Sequence, residues 1–293
     1  MAFWLAIMIW AVTLSSVLLF THGGFHMPEA ISDAARRIDA QFALTLAVAG
    51  IAFVLAQGLL GLFIVQYRER RGRSARYVHG NTVIEAGGAV VVGTVFITLA
   101  VLGQKVWAEL HLQGTPPGAL PIEITAEQFA WNIRYTGPDG TFGRTSPALY
   151  DPAENPVGIL PGDPAGKDDI VSLNTLTVPV GRPVELRLRA KDVIHSFFMP
   201  VLRIKQDAVP GMEIPLRFKA EKTGTYEIAC AELCGLGHYR MRGTLQVVEP
   251  AQFESWLAEQ ASPSEPSPGE AAPAEGTPGQ VNPGSSNPGP SNP

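Results

Sequence analysis

One short segment in the carboxyl-terminal half of the sequence concentrates side chains that bind soft metal ions. Its sequence is Cys230-Ala-Glu-Leu-Cys234-Gly-Leu-Gly-His238-Tyr-Arg-Met241, and His195 precedes it by 35 residues. Thiolates, imidazoles and a thioether are ligands that copper prefers over harder metals. Because the sequence has only 2 cysteines, both sulfurs would have to bridge if two metal ions were bound. The two histidines, Met241 and a backbone carbonyl would then complete the coordination.

Other chemistry is open to the same residues. In a domain outside the cytoplasm, Cys230 and Cys234 could form a structural disulfide, with His238 on the surface and Met241 in the core. A mononuclear blue-copper site would leave one thiol unused, and a zinc site of two Cys and two His would give Met241 no role. His and Met each occur 6 times in 293 residues, so both occupy these offsets by chance in about 4 of 10,000 cases. The spacing therefore favours copper.

Three long apolar runs precede this segment, at residues 2–20, 42–66 and 83–107. The second and third are each longer than the roughly 20 residues that a helix needs to cross the hydrocarbon, so we expect a transmembrane helical hairpin over residues 38–108. The first run, within residues 1–22, is either a signal peptide or a third spanning helix. Its length and its lack of a basic start favour the helix.

The loop between the second and third runs is strongly basic. The positive-inside rule places such a loop in the cytoplasm, and everything after residue 107 then lies outside. The arginines of this loop are Arg68, Arg70, Arg71, Arg73 and Arg76.

The outer region, residues 120–249, is predicted to be an all-β sandwich or antiparallel barrel. Apolar residues alternate with polar ones from Phe129 to Tyr135 and in five later stretches, which is typical of half-buried strands. Residues 136–172 show no period and are expected to form a long surface excursion. A short closing helix is expected over residues 250–260. The Pro/Gly/Ser-rich tail, residues 261–293, is predicted to be disordered.

The charge is distributed unevenly along the chain. Residues 108–260 carry 14 basic and 19 acidic side chains, so this part is acidic by 5. An acidic domain argues against nucleic acid as a partner and is compatible with a basic protein partner.

The motif Cys-x-Glu-x-Cys-x-x-x-His-x-x-Met resembles the binuclear copper (CuA) domain of cytochrome c oxidase subunit II. His-Ser-Phe at 195–197 and Lys-Gln-Asp-Ala-Val-Pro-Gly-Met at 205–212 extend the resemblance, which covers roughly residues 31–258. It implies a membrane-anchored all-β protein with a transmembrane helical hairpin and a cupredoxin-like Greek-key β-barrel. It also implies a bacterial-type plasma membrane, with the CuA domain on the outer, periplasmic side.

The resemblance assigns a role to each metal-binding position. Cys230 and Cys234 would bridge two copper ions, and His195 and His238 would be terminal ligands. Met241 would be the weak thioether ligand. The backbone carbonyl of Glu232 would also bind copper, and its side chain would help to bind Mg²⁺ at the boundary with subunit I.

The resemblance further implies a subunit of a proton-translocating cytochrome c oxidase that holds no catalytic residue of its own. Electrons would come from cytochrome c or a similar haem c donor and pass to haem in subunit I, where oxygen is reduced; subunit III would be a further partner. Glu85, at the cytoplasmic start of the third run, matches the mouth of a proton channel into subunit I. Alternatively, Glu85 only interacts with the dipole of its helix.

Residues 128–131, Gln-Phe-Ala-Trp, depart from the family pattern. Members usually have Trp at the position of Phe129, where electrons enter from the donor. Trp131 could take over this role, the donor could differ, or both aromatic side chains could simply belong to the core.

Three other protein classes fit the sequence less well. A quinol oxidase subunit II lacks the copper ligands, and a nitrous oxide reductase needs a large upstream catalytic domain. A stand-alone copper carrier or chaperone is the main alternative, but it has to diffuse, whereas two spanning helices fix this chain in the membrane.

Overall fold

The computed structural model describes residues 1–24, 27–74, 77, 79–112 and 114–261. The predicted disordered tail from residue 262 onward lies outside the described residues, as does Arg76 of the basic loop.

Among the described residues, three helices at the amino-terminal end are long and apolar enough to cross a membrane. They are α1 (Ala2–His22), α2 (Asp33–Gln66) and α3 (Thr82–His111). Helix α2 begins before the apolar run, because Ser32 caps it by accepting a hydrogen bond from the Ala35 amide at 3.0 Å. Its first turns are therefore polar and available for contacts outside the membrane.

Helix α1 packs antiparallel to α2. The indole Nε1 of Trp10 donates to the Gly58 carbonyl at 3.3 Å, and a Cβ at Gly61 would overlap the same indole. At the other end of the contact, the Arg68 guanidinium lies over the Phe3 ring, 4.5 Å from its centroid. Glycine in α2 thus creates the space that the large Trp10 side chain fills.

In the part of the chain that the structure describes, ten strands form two five-stranded sheets. The strands are β1 (Leu120–Glu127), β2 (Ala130–Tyr135), β3 (Ile170–Leu173), β4 (Thr175–Pro179), β5 (Val184–Ala190), β6 (His195–Met199), β7 (Ile204–Ala208), β8 (Ile214–Phe218), β9 (Gly224–Cys230) and β10 (Arg242–Val248). One sheet has the order β3-β2-β1-β5-β8 and the other β4-β10-β9-β6-β7. The expected antiparallel pairing is wrong for two pairs, β1–β5 and β4–β10, which are parallel.

The apolar faces of the two sheets share one core. Alternating residues of β5 and β9, among them Leu186, Leu188 and Ile228, are fully buried there. Helix α4 (Pro250–Ala261) covers one end, where the buried Phe253 ring lies 6.4 Å from the Tyr135 ring. This helix lies where the sequence predicts a closing helix.

The excursion after β2 is attached to the domain more firmly than the prediction of a surface loop implies. Arg134 of β2 is buried, pairs with Glu123 at 2.9 Å and also pairs with Asp169. The same guanidinium donates to the Gly143 carbonyl. Val157 is buried as well, and the last residues of the predicted excursion belong to β3. The buried Arg134 side chain therefore holds this segment in place through its contacts with Asp169 and Gly143.

Candidate metal centre

The predicted metal ligands come from one loop and the start of one strand. Cys230 ends β9, Met241 directly precedes β10, and the Cys230 amide donates to the Met241 carbonyl at 3.1 Å, which closes the loop. Strand β6 pairs with β9 through Phe197 and Cys230. Because His195 begins β6, this pairing brings its ring to the loop.

The donor atoms lie close together. Cys230 Sγ and Cys234 Sγ are 3.8 Å apart, and Cys234 Sγ is 3.7 Å from both His238 Nδ1 and Met241 Sδ. On the opposite side of the cluster, His195 Nδ1 is 3.2 Å from Met241 Sδ. The ligand atoms of His195 and the two cysteines all lie within 4.8 Å of one another. The structure therefore brings together all five side chains that the motif singled out.

The spacing of these atoms fits a shared metal ion. Two sulfurs at about 2.3 Å from one ion with a tetrahedral angle are about 3.8 Å apart, which is the separation of the two free thiols here. Cys230 Sγ also lies 3.2 Å from the Glu232 carbonyl oxygen. Six donor groups are more than one tetrahedral ion can use, so the donor set fits two ions better than one.

The ring of His195 is oriented by a carboxylate. His195 Nε2 lies 2.8 Å from Asp192 Oδ1, which leaves Nδ1 directed at the cluster. Burial opposes ionisation of Asp192, but hydrogen bonds from His195 and from the amides of Gln128 and Val193 outweigh it and lower the pKa of this carboxyl. Asp192 is therefore an anion that fixes the ligand ring.

The Cys234 thiol is protonated at neutral pH when no metal is bound. Burial and the adjacent Cys230 thiol raise the pKa of Cys234 to about 11. Since a thiolate is the metal-binding form, a metal ion must displace protons from this site.

Comparison with known proteins shows the family of this chain. The family model described as the periplasmic domain of cytochrome c oxidase subunit II matches residues 164–248. The "Alternative cytochrome c oxidase subunit 2" of Bradyrhizobium diazoefficiens is 34% identical over 224 residues, which cover 76% of this chain and 80% of the relative. The chain belongs to the cytochrome c oxidase subunit II family.

Other members of the subunit II family are similar over most of their length. The "Cytochrome c oxidase subunit 2" of Thermostichus vulcanus is 33% identical over 269 residues, covering 84% of this chain and 81% of that protein. Among solved structures, the periplasmic domain of subunit II of the Bradyrhizobium japonicum cytochrome oxidase is 26% identical, with a TM-score of 0.38, and covers 50% of this chain and 96% of that one. This subunit II chain is a membrane protein with a periplasmic domain, and it is an oxidase subunit.

Two predicted residues of this subunit II lie outside the cluster. The Glu232 side chain is exposed while its carbonyl faces Cys230. Glu85 is exposed in the first turn of α3, where its carboxylate lies over Gly80, far along the chain from the metal loop. Among the described residues, the group of side chains that could hold a metal ion consists of His195, Cys230 and Cys234, and neither carboxylate belongs to it.

The two aromatic candidates for electron entry occupy different environments. Trp131 is 0% exposed, and its ring packs against Phe197 and His195. This burial corrects the prediction that Trp131 could replace Phe129 as a surface contact, because a donor cannot touch it. Phe129 is 38% exposed, and its ring lies on Gly235 and Gly237 of the metal loop.

Asp192 and Gln128 were missed by sequence reasoning. The Gln128 side chain donates a hydrogen bond to the Cys234 carbonyl. Its backbone N–H donates to the Asp192 carboxylate at 2.7 Å. For Asp192, the available sequence signal was its position three residues before His195, a predicted ligand. The contact between Gln128 and Cys234 spans 106 residues and leaves no local pattern.

Proposed function

We propose that this chain binds a binuclear copper (CuA) centre and uses it to relay electrons from cytochrome c, or a similar haem c donor, to haem in subunit I. The observation that carries the proposal is the convergence of two thiols, two imidazoles, a thioether and a carbonyl on one buried cluster. When bound, the copper pair would take up and release one electron at a time, with the charge shared between two ions.

The protein would hold this centre in a fixed geometry. Cys230 and Cys234 would supply two thiolate ligands, and His195, His238, Met241 and the Glu232 carbonyl would supply the others. His195 and Cys230 lie at the ends of the paired strands β6 and β9, Met241 directly precedes β10, and His195 is additionally fixed by Asp192. A site that is rigid in both redox states loses little energy to rearrangement when an electron arrives.

Exclusion of water is a second contribution of the chain. The side chains of His195, Cys234 and Met241 are all buried, and the Trp131 ring packs between His195 and Phe197. A dry site strengthens the interaction of the ligands with a charged centre.

We infer that the donor docks over Phe129. The Phe129 ring is partly exposed and lies against the glycines between Cys234 and His238, so a donor docked over this ring would contact the metal loop. Leu236 and Tyr239 of the same loop are 98% and 73% exposed, and they give this surface an apolar character. Apolar contacts would make donor binding less sensitive to salt than a purely acidic surface would.

The membrane part would anchor the centre beside its acceptor. The basic loop after α2 supports a cytoplasmic location for that end and a periplasmic location for the β-domain of a bacterial plasma membrane protein. Subunits I and III would contact the hairpin, with Glu85 at the mouth of a proton channel and Glu232 sharing Mg²⁺ with subunit I. The contacts of the Trp10 indole with Gly58 and Gly61 of α2 support the proposal that α1 is a retained third spanning helix.

The test is the metal content and the electron paramagnetic resonance spectrum of the full chain purified in detergent. We expect two copper ions per chain and a spectrum in which one unpaired electron is shared by both. Cys234→Ser should abolish this spectrum. A single copper or a zinc ion in the active protein, or a disulfide between the two cysteines, would refute the proposal.

A further inference from the structure

Arg203 makes an unusual set of contacts between the β-domain and the start of the membrane helices. Its guanidinium holds the Asp39 carboxylate with two hydrogen bonds, from Nε at 2.7 Å and from Nη2 at 2.8 Å. Nη2 also donates to the Pro28 carbonyl at 2.6 Å, and Nη1 donates to the Pro200 carbonyl. Asp39 lies in α2, whereas Arg203 lies between β6 and β7, 164 residues later.

The backbone at Arg203 adopts a conformation that favours glycine. Its φ is 58°, in the left-handed region, where a side chain normally adds strain. Only 7% of the Arg203 side chain is exposed. The hydrogen bonds of the guanidinium compensate for the backbone strain that a side chain causes in this conformation.

The segment before α2 is attached at the same place. Ile31 is buried in the core of the β-domain, its amide donates to Val201 at 3.1 Å, and its carbonyl accepts from Glu221 at 2.8 Å. Two further ion pairs, Arg36 with Glu221 and Lys222 with Glu29, join the same surfaces but are largely exposed. Exposed pairs contribute little, so the bidentate contact of Arg203 is the strong polar one.

The metal loop is directly connected to this junction. Arg203 follows the turn Pro200–Leu202, and that turn follows β6, whose first residue is His195. Strand β6 pairs with the strand that ends at Cys230. A movement of Arg203 relative to α2 would therefore move both ligands relative to the membrane.

We propose that Arg203 and Asp39 form a positioning pair that fixes the metal-binding domain over the membrane helices and so sets the distance from the metal centre to its acceptor. This inference rests on the proposed electron-relay function. Electron transfer slows steeply with distance, and a functional geometry has to be held within about 0.5 Å. Arg203 would contact neither metal nor donor; it would act through the strand that carries His195.

The test uses the complete oxidase with Arg203→Gly, Arg203→Lys and Asp39→Asn in this chain. Glycine accepts the left-handed backbone, so Arg203→Gly removes the guanidinium without adding strain. Arg203→Lys keeps the charge but loses the bidentate geometry. The matched control is Arg36→Ala, which removes an exposed ion pair at the same junction.

We expect electron transfer from the copper centre to haem to slow at least about tenfold in Arg203→Gly, since displacements of about 1 Å are already costly. The copper spectrum and the KM for the donor should not change. The rate of electron transfer in Arg203→Lys should lie between the rates in Arg203→Gly and in the unmodified protein. Adding Asp39→Asn to Arg203→Gly should not slow electron transfer further. Arg36→Ala should not slow electron transfer at all.

A second readout is independent of copper and of electron transfer. Hydrogen exchange at the Ile31 and Glu221 amides should become faster in Arg203→Gly and remain slow in Arg36→Ala. An unchanged transfer rate together with unchanged exchange in Arg203→Gly would overturn the positioning role. Absence of the shared-electron spectrum from the unmodified protein would instead overturn the electron-relay function, and the exchange result would still decide whether Arg203 holds the junction.

Discussion

Replacing Met241 by leucine distinguishes a metal ligand from an ordinary core residue, because leucine has nearly the same volume as methionine but no sulfur. Met241 is 1% exposed, and its Sδ lies 3.2 Å from His195 Nδ1 and 3.7 Å from Cys234 Sγ. If the side chain only fills the core, Met241→Leu should leave the metal centre as it was. If it is a ligand, the same substitution removes one donor from the cluster.

The effect on folding can be estimated from the burial of this side chain. A volume-conserving replacement of a buried residue usually costs less than about 1.5 kcal/mol of stability. Met241→Ala would instead leave a cavity and cost about 2–5 kcal/mol. We therefore expect Met241→Leu to fold with nearly unchanged stability while the spectrum and the redox potential of the copper centre change.

The measurement is urea unfolding of the full chain in detergent, alongside electron paramagnetic resonance and a redox titration of the loaded protein. Met199→Leu is the matched control, because Met199 is equally buried in β6 but belongs to the core rather than to the metal loop. Identical spectra and potentials for both variants and the unmodified protein would refute Met241 as a ligand.

Two further predictions concern the β-domain and the metal-free thiols. Arg134→Met removes the cation that pairs with the buried carboxylates of both Glu123 and Asp169, and it should cost about 3–5 kcal/mol in urea unfolding; a loss below about 1 kcal/mol would contradict a structural role for this cluster. For the thiols, the unfolded chain loses its Cys234 proton near the ordinary pKa of about 8.5, whereas the folded chain keeps it up to a pKa of about 11. The metal-free protein should therefore lose thermal stability as the pH rises from about 8.5 towards 11, and Cys234→Ser should reduce this loss; an identical pH dependence in the variant would show that another group is responsible.

The metal loop could be predicted from the sequence because its information is local. Cys230, Cys234, His238 and Met241 lie within one loop, so their spacing along the chain limits their distances in space. Strands with one buried face were predictable for a similar reason, since alternation in β5 and β9 matches the side-chain period of a strand. Both predictions depend on neighbours in sequence.

Strand β6 has no alternation of apolar and polar residues, and strand β1 alternates although its polar residues Glu123 and Thr125 are buried. In β1, Glu123 is buried beside Arg134, so a polar position in the pattern is not a solvent-facing one. In β6, His195 and Ser196 are buried as well, which leaves no alternation between apolar and polar residues. A period-of-two analysis assumes that polar residues face water, and these strands break that assumption.

The relation between the metal loop and the membrane depends on pairs that no sequence window contains. Arg203 and Asp39 are 164 residues apart, and an arginine in a left-handed turn or an aspartate in the first turns of a helix has no special signature on its own. The ligand set is therefore encoded in about a dozen consecutive residues and one upstream histidine, whereas its placement over the membrane is encoded in the start of α2 and the turn after β6. A chain with an intact motif could thus bind metal normally and still transfer electrons poorly, because binding depends on the loop and transfer also depends on the junction that carries it.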